Sequence, residues 1–290
     1  MIKALNKFSN ILPQHETEAL LSCLFKCTRR DLYTKDIPAD RDVEDLFDSM
    51  VQRRLAGEPL QYITGCADFM GMDFMVEKGV FIPRPETGLL VNEVLCAIRY
   101  LPRTRAKRVV RGALCGNKRL TILDLCAGSG CIAVSLAKTI PGAGLTATDI
   151  SERALCVARK NAVLHGVSER IRFYKGDLFE ALVFDKNLKF DIIVCNPPYV
   201  KDSDIGFLQE EVRQEPEVAL DGGHDGLKFY RRIAGLAPRY LKQGGSIFLE
   251  MGIGQANDVE GIFSSEGLYR LMSVKKDFAG IERMAWIGLL

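Results

Sequence analysis

The chain has 290 residues, 47% of them hydrophobic and 26% charged, a composition that supports packed cores and excludes disordered, collagenous and fibrous classes. That length suits a large unit plus a small one, so two domains are expected. With 39 Lys and Arg against 37 Asp and Glu, the net charge of +2 lacks the basic excess of a protein that grips a nucleic-acid backbone.

From Ile2 to about Gly57 apolar residues recur at helical spacing, as in Leu20, Leu21, Leu24, Phe25 and again Val43, Leu46, Phe47, Met50, with breaks at Pro13 and Pro38. A small helical domain over residues 1–65 is the reading. Met1 to Ser9 lack the apolar stretch of a secretory signal, and nowhere do about 18 apolar residues run together. The cytosol is therefore the expected compartment, with no membrane partner. Cys23 and Cys27, one helical turn apart, read as small buried hydrophobes. The nine cysteines are scattered without zinc spacing, which predicts reduced thiols and no metal site. None of His15, His165 and His224 adjoins a triad or metal motif.

The stretch Gly57 to Gly79 is rich in glycine and aromatics. Its alternation of Phe69, Gly71, Asp73, Met75 against Met70, Met72, Phe74, Val76 predicts a hairpin, placed in a linker over residues 66–85. After Pro83-Arg84-Pro85 a helix is predicted from Glu86 to Tyr100, with Leu89, Leu90, Val94, Leu95 and Ile98 on one face, opening a second domain over residues 86–290. Between Val94 and Leu123 no acidic residue occurs, and the basic stretch Arg99 to Arg119 reads as a solvated insertion. From Leu120 apolar runs of strand length alternate with helical segments: Thr121 to Leu125, Gly144 to Thr148, Ile171 to Lys175, Phe190 to Cys195 and Ser246 to Met251. Such alternation means an α/β fold, a parallel sheet with helices on both faces. Tyr269 to Lys275 and Met284 to Leu289 suit an antiparallel pair at one sheet edge.

Two places in this sheet carry chemistry. The first strand ends in Asp124-Leu125-Cys126-Ala127-Gly128-Ser129-Gly130, a glycine-rich turn where a ligand can approach the backbone and meet helix N–H groups. The next strand ends in Asp149, whose carboxylate can accept from both hydroxyls of a ribose. Together they indicate a nucleoside-bearing cofactor and leave NAD and S-adenosylmethionine both open. The fourth run delivers Asn196-Pro197-Pro198-Tyr199 to the sheet edge where ligands bind. The Asn196 side-chain carbonyl and the Pro197 carbonyl can hold both N–H bonds of a planar amino or amide group, its nitrogen aimed at an electrophile. Tyr199 can pack on the flat group.

An Asn-Pro-Pro-Tyr motif after a nucleoside-binding sheet resembles the amino-methyltransferases that use S-adenosylmethionine. Within them the chain is similar to the HemK/PrmC-type family, the release-factor glutamine methyltransferases. The resemblance rests on Gly57 to Gly65, Ile82 to Thr87, Asp124 to Ala133, Asn196 to Tyr199, Glu215-Pro216 with Ala219 to Gly223, Asp225 to Leu227, Phe229 to Ile233, Leu249 to Gly252 with Gln255, and Asp277 to Arg283. It implies a seven-stranded Rossmann-like methyltransferase domain, a hairpin linker and a small N-terminal domain that docks the substrate. The implied activity is methylation of the glutamine amide in the Gly-Gly-Gln loop of peptide chain release factors. Cys126, Ala127, Gly128, Ser129 and Gly130 would line the methionine part of the cofactor, Asp149 would hold the ribose, and Asp177 with Leu178 would border the adenine. Asn196, which would also touch the cofactor, and Pro197 would orient the glutamine amide, Pro198 and Tyr199 would shape its slot, and Pro83 to Thr87 would close one wall. Release factors are then the expected partner of a monomeric enzyme. N6-adenine methylation of DNA is the alternative, since it offers the same planar NH₂ to the same motif. The near-neutral charge disfavours it. The family's turn usually begins with glycine where this chain has Cys126, its second acidic residue after Pro85 is Gly88 here, and His224 replaces a common acidic residue at an expected surface position.

Overall fold

The computed structural model describes residues 11–35, 41–100, 119–185 and 187–290. Most of the basic stretch (101–118) and the first ten residues of the helical region lie outside the described residues.

Among the described residues four helices come first: α1 (Gln14–Phe25), α2 (Asp31–Thr34), α3 (Arg41–Leu55) and α4 (Leu60–Thr64). Leu20, Leu21, Leu32, Phe47, Met50, Val51 and Ile63 bury against one another, each worth about 1.5–3 kcal/mol. Leu46, grouped with this face by spacing, points to solvent instead. The hairpin follows as β1 (Cys66–Phe69) and β2 (Met72–Met75). Met70 and Gly71 both take positive φ (56° and 73°), the two-residue turn whose twist matches a hairpin. That turn reverses the side-chain parity, so Phe69 and Phe74, which simple alternation sorts to opposite faces, share one. Both are buried, edge to face at 5.9 Å.

The remaining chain builds α5 (Thr87–Tyr100), β3 (Thr121–Leu125), α6 (Cys131–Thr139), β4 (Gly144–Asp149), α7 (Glu152–Leu164), β5 (Ile171–Lys175), β6 (Phe190–Cys195), α8 (Glu210–Arg213), α9 (Lys228–Leu236), β7 (Leu241–Glu250), α10 (Ala256–Ser265), β8 (Tyr269–Lys276) and β9 (Glu282–Leu289). The seven strands lie in the order β5-β4-β3-β6-β7-β9-β8. Only β9 runs against its neighbours, inserted between β7 and β8, so the last strand lies inside the sheet rather than at its edge. β7 starts five residues before the apolar run because Phe190 pairs with Leu241 ahead of a register shift. Along the central strands alternate residues feed two cores. Ile122, Ile192, Val194 and Phe248 face the side of α5 and α6, while Leu123, Leu125, Ile193 and Leu249 face α9 and α10. Burial on both faces is why these strands read as continuous apolar runs. β3 continues to β4 on one side and pairs with β6 on the other, which opens a crevice at the carboxyl ends of these strands.

Asn161 of α7, fully buried, ties this crevice to the hairpin. Its Nδ2 donates to Ser129 O (2.9 Å) and Met75 O (3.0 Å), and its Oδ1 accepts from Met75 N (2.7 Å).

Candidate active site

The turn after β3 bends through three positive φ values, at Cys126 (58°), Gly128 (55°) and Gly130 (79°). Cys126 thus adopts the conformation that glycine takes without strain, so the turn keeps its shape at a cost of about 1 kcal/mol. Gly128 has open space where a Cβ would stand, which leaves its backbone accessible. Gly130 does not border the cavity. Its missing Cβ would stand 2.9 Å from Ala158 Cβ, so it serves the packing of α6 on α7.

Asp149 closes this turn from the neighbouring strand. Its Oδ2 accepts from Gly128 N and its Oδ1 from Ser151 N, both at 2.8 Å, and each oxygen keeps a further lone pair. Burial raises its pKa while those backbone N–H groups oppose the rise. Asp124, with 0% exposure, accepts from Ala133 N (3.0 Å) through Oδ2, and burial pushes its carboxyl well above the usual carboxylate range. Its Oδ1 has no partner among the described residues.

On the other side of the crevice β6 presents Asn196 to Tyr199. Asn196 Nδ2 donates to Thr87 Oγ1 at 3.1 Å. Its Oδ1 and the Pro197 carbonyl have no hydrogen-bond partner among the described residues. The Tyr199 hydroxyl reaches Glu250 Oε1 (3.4 Å), and its backbone carbonyl accepts from Gln255 Nε2 (3.0 Å). Gly222 and Gly226 permit this fit, since a Cβ there would approach Tyr199 Cα to 2.8 Å and Tyr199 O to 2.5 Å. The hairpin side supplies Pro83, Arg84 and Thr87. Arg84 pairs with the buried Glu215, which also accepts from Ile82 N (2.9 Å).

These groups surround one cavity of about 570 Å³, bordered by Cys126 to Ser129, Asp149, Asp177 and Leu178 on one side and by Asn196 to Tyr199 on the other. Asp177 pairs with Arg232 at 2.9 Å, and Leu178 holds a positive φ of 50° beside it. A carboxylate with spare lone pairs, exposed turn backbone and the apolar Ile150 and Leu178 suit a nucleoside carrying a charged tail, so S-adenosylmethionine fits the residues present. Thr87 borders the cavity, in the segment expected to close one wall, whereas Glu250 and Gln255 gained no role from sequence reasoning. Their signal was available, because a buried apolar strand that ends on a glutamate, Ile247-Phe248-Leu249-Glu250, is unusual. His224 is exposed, as expected.

The sheet order, the glycine turn with Asp149 and the Asn-Pro-Pro-Tyr edge define a methyltransferase. Residues 112–224 match the "Methyltransferase small domain" family and residues 3–65 the "PrmC N-terminal domain". The fold is shared with a solved methyltransferase from Pyrococcus furiosus, 17% identical with a TM-score of 0.51, over 86% of this chain and 97% of that one. A release factor glutamine methyltransferase from Geobacter sulfurreducens is 42% identical over 93% of this chain and 87% of its own length. One from Thermodesulfovibrio yellowstonii is 38% identical over 98% and 97%. The chain belongs to the release factor glutamine methyltransferase family.

Proposed function

We propose that this protein methylates the side-chain amide nitrogen of the glutamine in the Gly-Gly-Gln loop of peptide chain release factors, using S-adenosylmethionine, in the cytosol. The observation that carries this reading is the pair of acceptors without a partner among the described residues, Asn196 Oδ1 and the Pro197 carbonyl, beside the cavity that Asp149 and the glycine turn border.

When bound, S-adenosylmethionine supplies an activated methyl electrophile. Asp149 would hold its ribose hydroxyls, the turn Cys126 to Ser129 its methionine end, and Leu178 with Asp177 would border its base. An amide nitrogen is a poor nucleophile because its lone pair is delocalised, so positioning supplies most of the acceleration. Asn196 Oδ1 and Pro197 O accept the two N–H bonds, which holds the nitrogen in line for attack and stabilises the positive charge that develops on it. Tyr199 and Pro198 confine the flat amide. No base is needed before transfer, since the proton leaves once the nitrogen has become acidic.

Residues 1–65 form the proposed docking domain, 66–85 the linker and 86–290 the methyltransferase domain. Arg54 supports this docking role: it holds Glu16 (2.7 Å) and Glu211 (2.6 Å), next to Val212 on the cavity wall, so the helical segment and that wall are tied together. The test offers radiolabelled S-adenosylmethionine to a release factor, to its loop Gln→Ala variant and to DNA. Label on the intact factor alone is expected. Label on the loop variant or on DNA overturns the assignment.

A further inference from the structure

We propose that Arg84 reads the main chain of the Gly-Gly-Gln loop, its guanidinium donating to carbonyl oxygens of the two glycines that precede the target glutamine. This rests on the function proposed above.

Asn196 and Pro197 recognise an N–H₂ group, and any glutamine or asparagine carries one. The two glycines add no side chain, so their backbone is what remains to be read, and its carbonyl oxygens need donors on the acceptor side of the cavity. Among the described residues three Lys or Arg side chains border the cavity: Arg84, Lys228 and Arg232. Arg232 is paired with Asp177, which flanks the cofactor, and Lys228 Nζ lies over the Phe229 ring, 5.4 Å from its centroid. Arg84 is the one tied to the Asn-Pro-Pro-Tyr segment. Its carbonyl accepts from Thr87 N (3.1 Å), and Thr87 Oγ1 accepts from Asn196 Nδ2 (3.1 Å).

The side chain of Arg84 is held in place. Its Nη2 donates to Glu215 Oε1, and the Glu215 side chain, 1% exposed, is itself fixed by the N–H of Ile82 at 2.9 Å. The guanidinium carbon lies over the Phe81 ring, 5.0 Å from its centroid. One edge and one face of the planar fork are thereby pinned, which limits the entropy a further hydrogen bond would cost. Its other N–H groups have no partner among the described residues, and 30% of the side chain is exposed where it borders the cavity. Glu215 leads into Pro216, Val218 and Ala219 of the same cavity wall, and Leu220 O accepts from Val200 N (3.0 Å) just past Tyr199. The ion pair thus joins the linker to the wall beside the acceptor amide, away from Asp149 and the glycine turn.

The test measures kcat and KM for an intact release factor, and S-adenosylhomocysteine affinity, in wild type, Arg84→Met and Arg84→Lys. Contacts to the loop backbone are the same before and during methyl transfer, so losing them raises KM and spares kcat. In Arg84→Met the KM for the release factor should rise about 30-fold, with kcat and S-adenosylhomocysteine affinity within about threefold of wild type. Burial raises the pKa of Glu215 and Arg84 opposes that rise, so in Arg84→Met this carboxyl can take up a proton instead of standing unpaired and charged. Arg84→Lys keeps the ion pair with Glu215 but loses the fork, and should raise KM about tenfold. It decides the matter alone if Arg84→Met folds poorly. An Arg84→Lys enzyme with wild-type KM, or a fall in kcat with KM unchanged in either variant, would show that Arg84 only braces the wall and would overturn the inference. A fall in S-adenosylhomocysteine affinity would assign the guanidinium to the cofactor's carboxylate and overturn it equally. A wild type that binds S-adenosylhomocysteine yet leaves the release factor unmethylated overturns the proposed function instead, and this inference with it.

Discussion

Gly226→Ala tests how tightly the Asn-Pro-Pro-Tyr segment is held from behind. Gly226 has φ of +74°, and a Cβ there would lie 2.5 Å from Tyr199 O and 2.7 Å from Gln255 Nε2. The left-handed backbone alone costs an alanine about 1–2 kcal/mol. Forcing apart backbone and a buried amide adds about 1–3 kcal/mol, and losing the 3.0 Å bond from Gln255 to Tyr199 adds about 0.5–1.5 kcal/mol. These effects overlap, so a loss of about 2–5 kcal/mol is expected, read by urea denaturation. Because Tyr199 O is the group displaced, the methylation rate should fall about 100-fold while S-adenosylhomocysteine still binds to the turn on the opposite side of the cavity. Gly261→Ala is the control. It lies inside α10 with negative φ and open space around it, and should stabilise by about 0.5–1 kcal/mol without touching the rate. A Gly226→Ala protein with stability within about 0.5 kcal/mol of wild type and a full rate would refute the close-packing argument.

Burial pushes the Glu250 carboxyl up to about 7, against the Thr87 and Tyr199 hydroxyls and Arg283 and with Glu86. The folded protein therefore keeps a proton that the unfolded chain has released. Stability attributable to this group falls as pH rises from the ordinary carboxylate range to about 7, by on the order of 3 kcal/mol. Denaturation of wild type and Glu250→Gln across that window should give diverging stabilities, and parallel ones would contradict the assignment. Asp149→Asn sets an amide N–H₂ where Gly128 or Ser151 donates, so S-adenosylhomocysteine affinity should fall at least about 100-fold by calorimetry, whereas retained affinity would remove Asp149 from the cofactor site. Arg54→Ala leaves Glu16 without its bidentate partner and should cost about 1–3 kcal/mol at neutral pH. The Arg54 hydrogen bond holds the Glu16 carboxyl below its usual range, so this contribution is present above that range and vanishes as acid protonates Glu16. A cost that persists in acid would show that Arg54 acts by packing alone.

The central strands were legible because burial on both faces makes them uninterrupted apolar runs, and Asp149 and Asn196 were legible because each ends such a run. The hairpin's shared aromatic face was not, since it depends on two positive φ values at Met70 and Gly71 that reverse the alternation. Nor does periodicity reveal that β9 slips between β7 and β8, because strand order is a tertiary choice among equally apolar segments. The site was half visible. Most residues that border the cavity sit in compact motifs, whereas their partners are remote in sequence: Thr87, which also borders it, lies 109 residues from Asn196, and Glu250, behind it, lies 51 from Tyr199. Gly130 belongs to the same motif as Gly128 and yet packs a helix, a distinction visible only once Ala158 is in place.

The central claim is that Asn196 and Pro197 act by holding the acceptor amide, and Asn196→Ala tests it most directly. Single-turnover methylation of an intact release factor should slow by orders of magnitude, while affinity for S-adenosylhomocysteine stays close to that of wild type. An equal loss in rate and in cofactor affinity would contradict the claim, because Asn196 would then belong to the cofactor's site and not to the amide's.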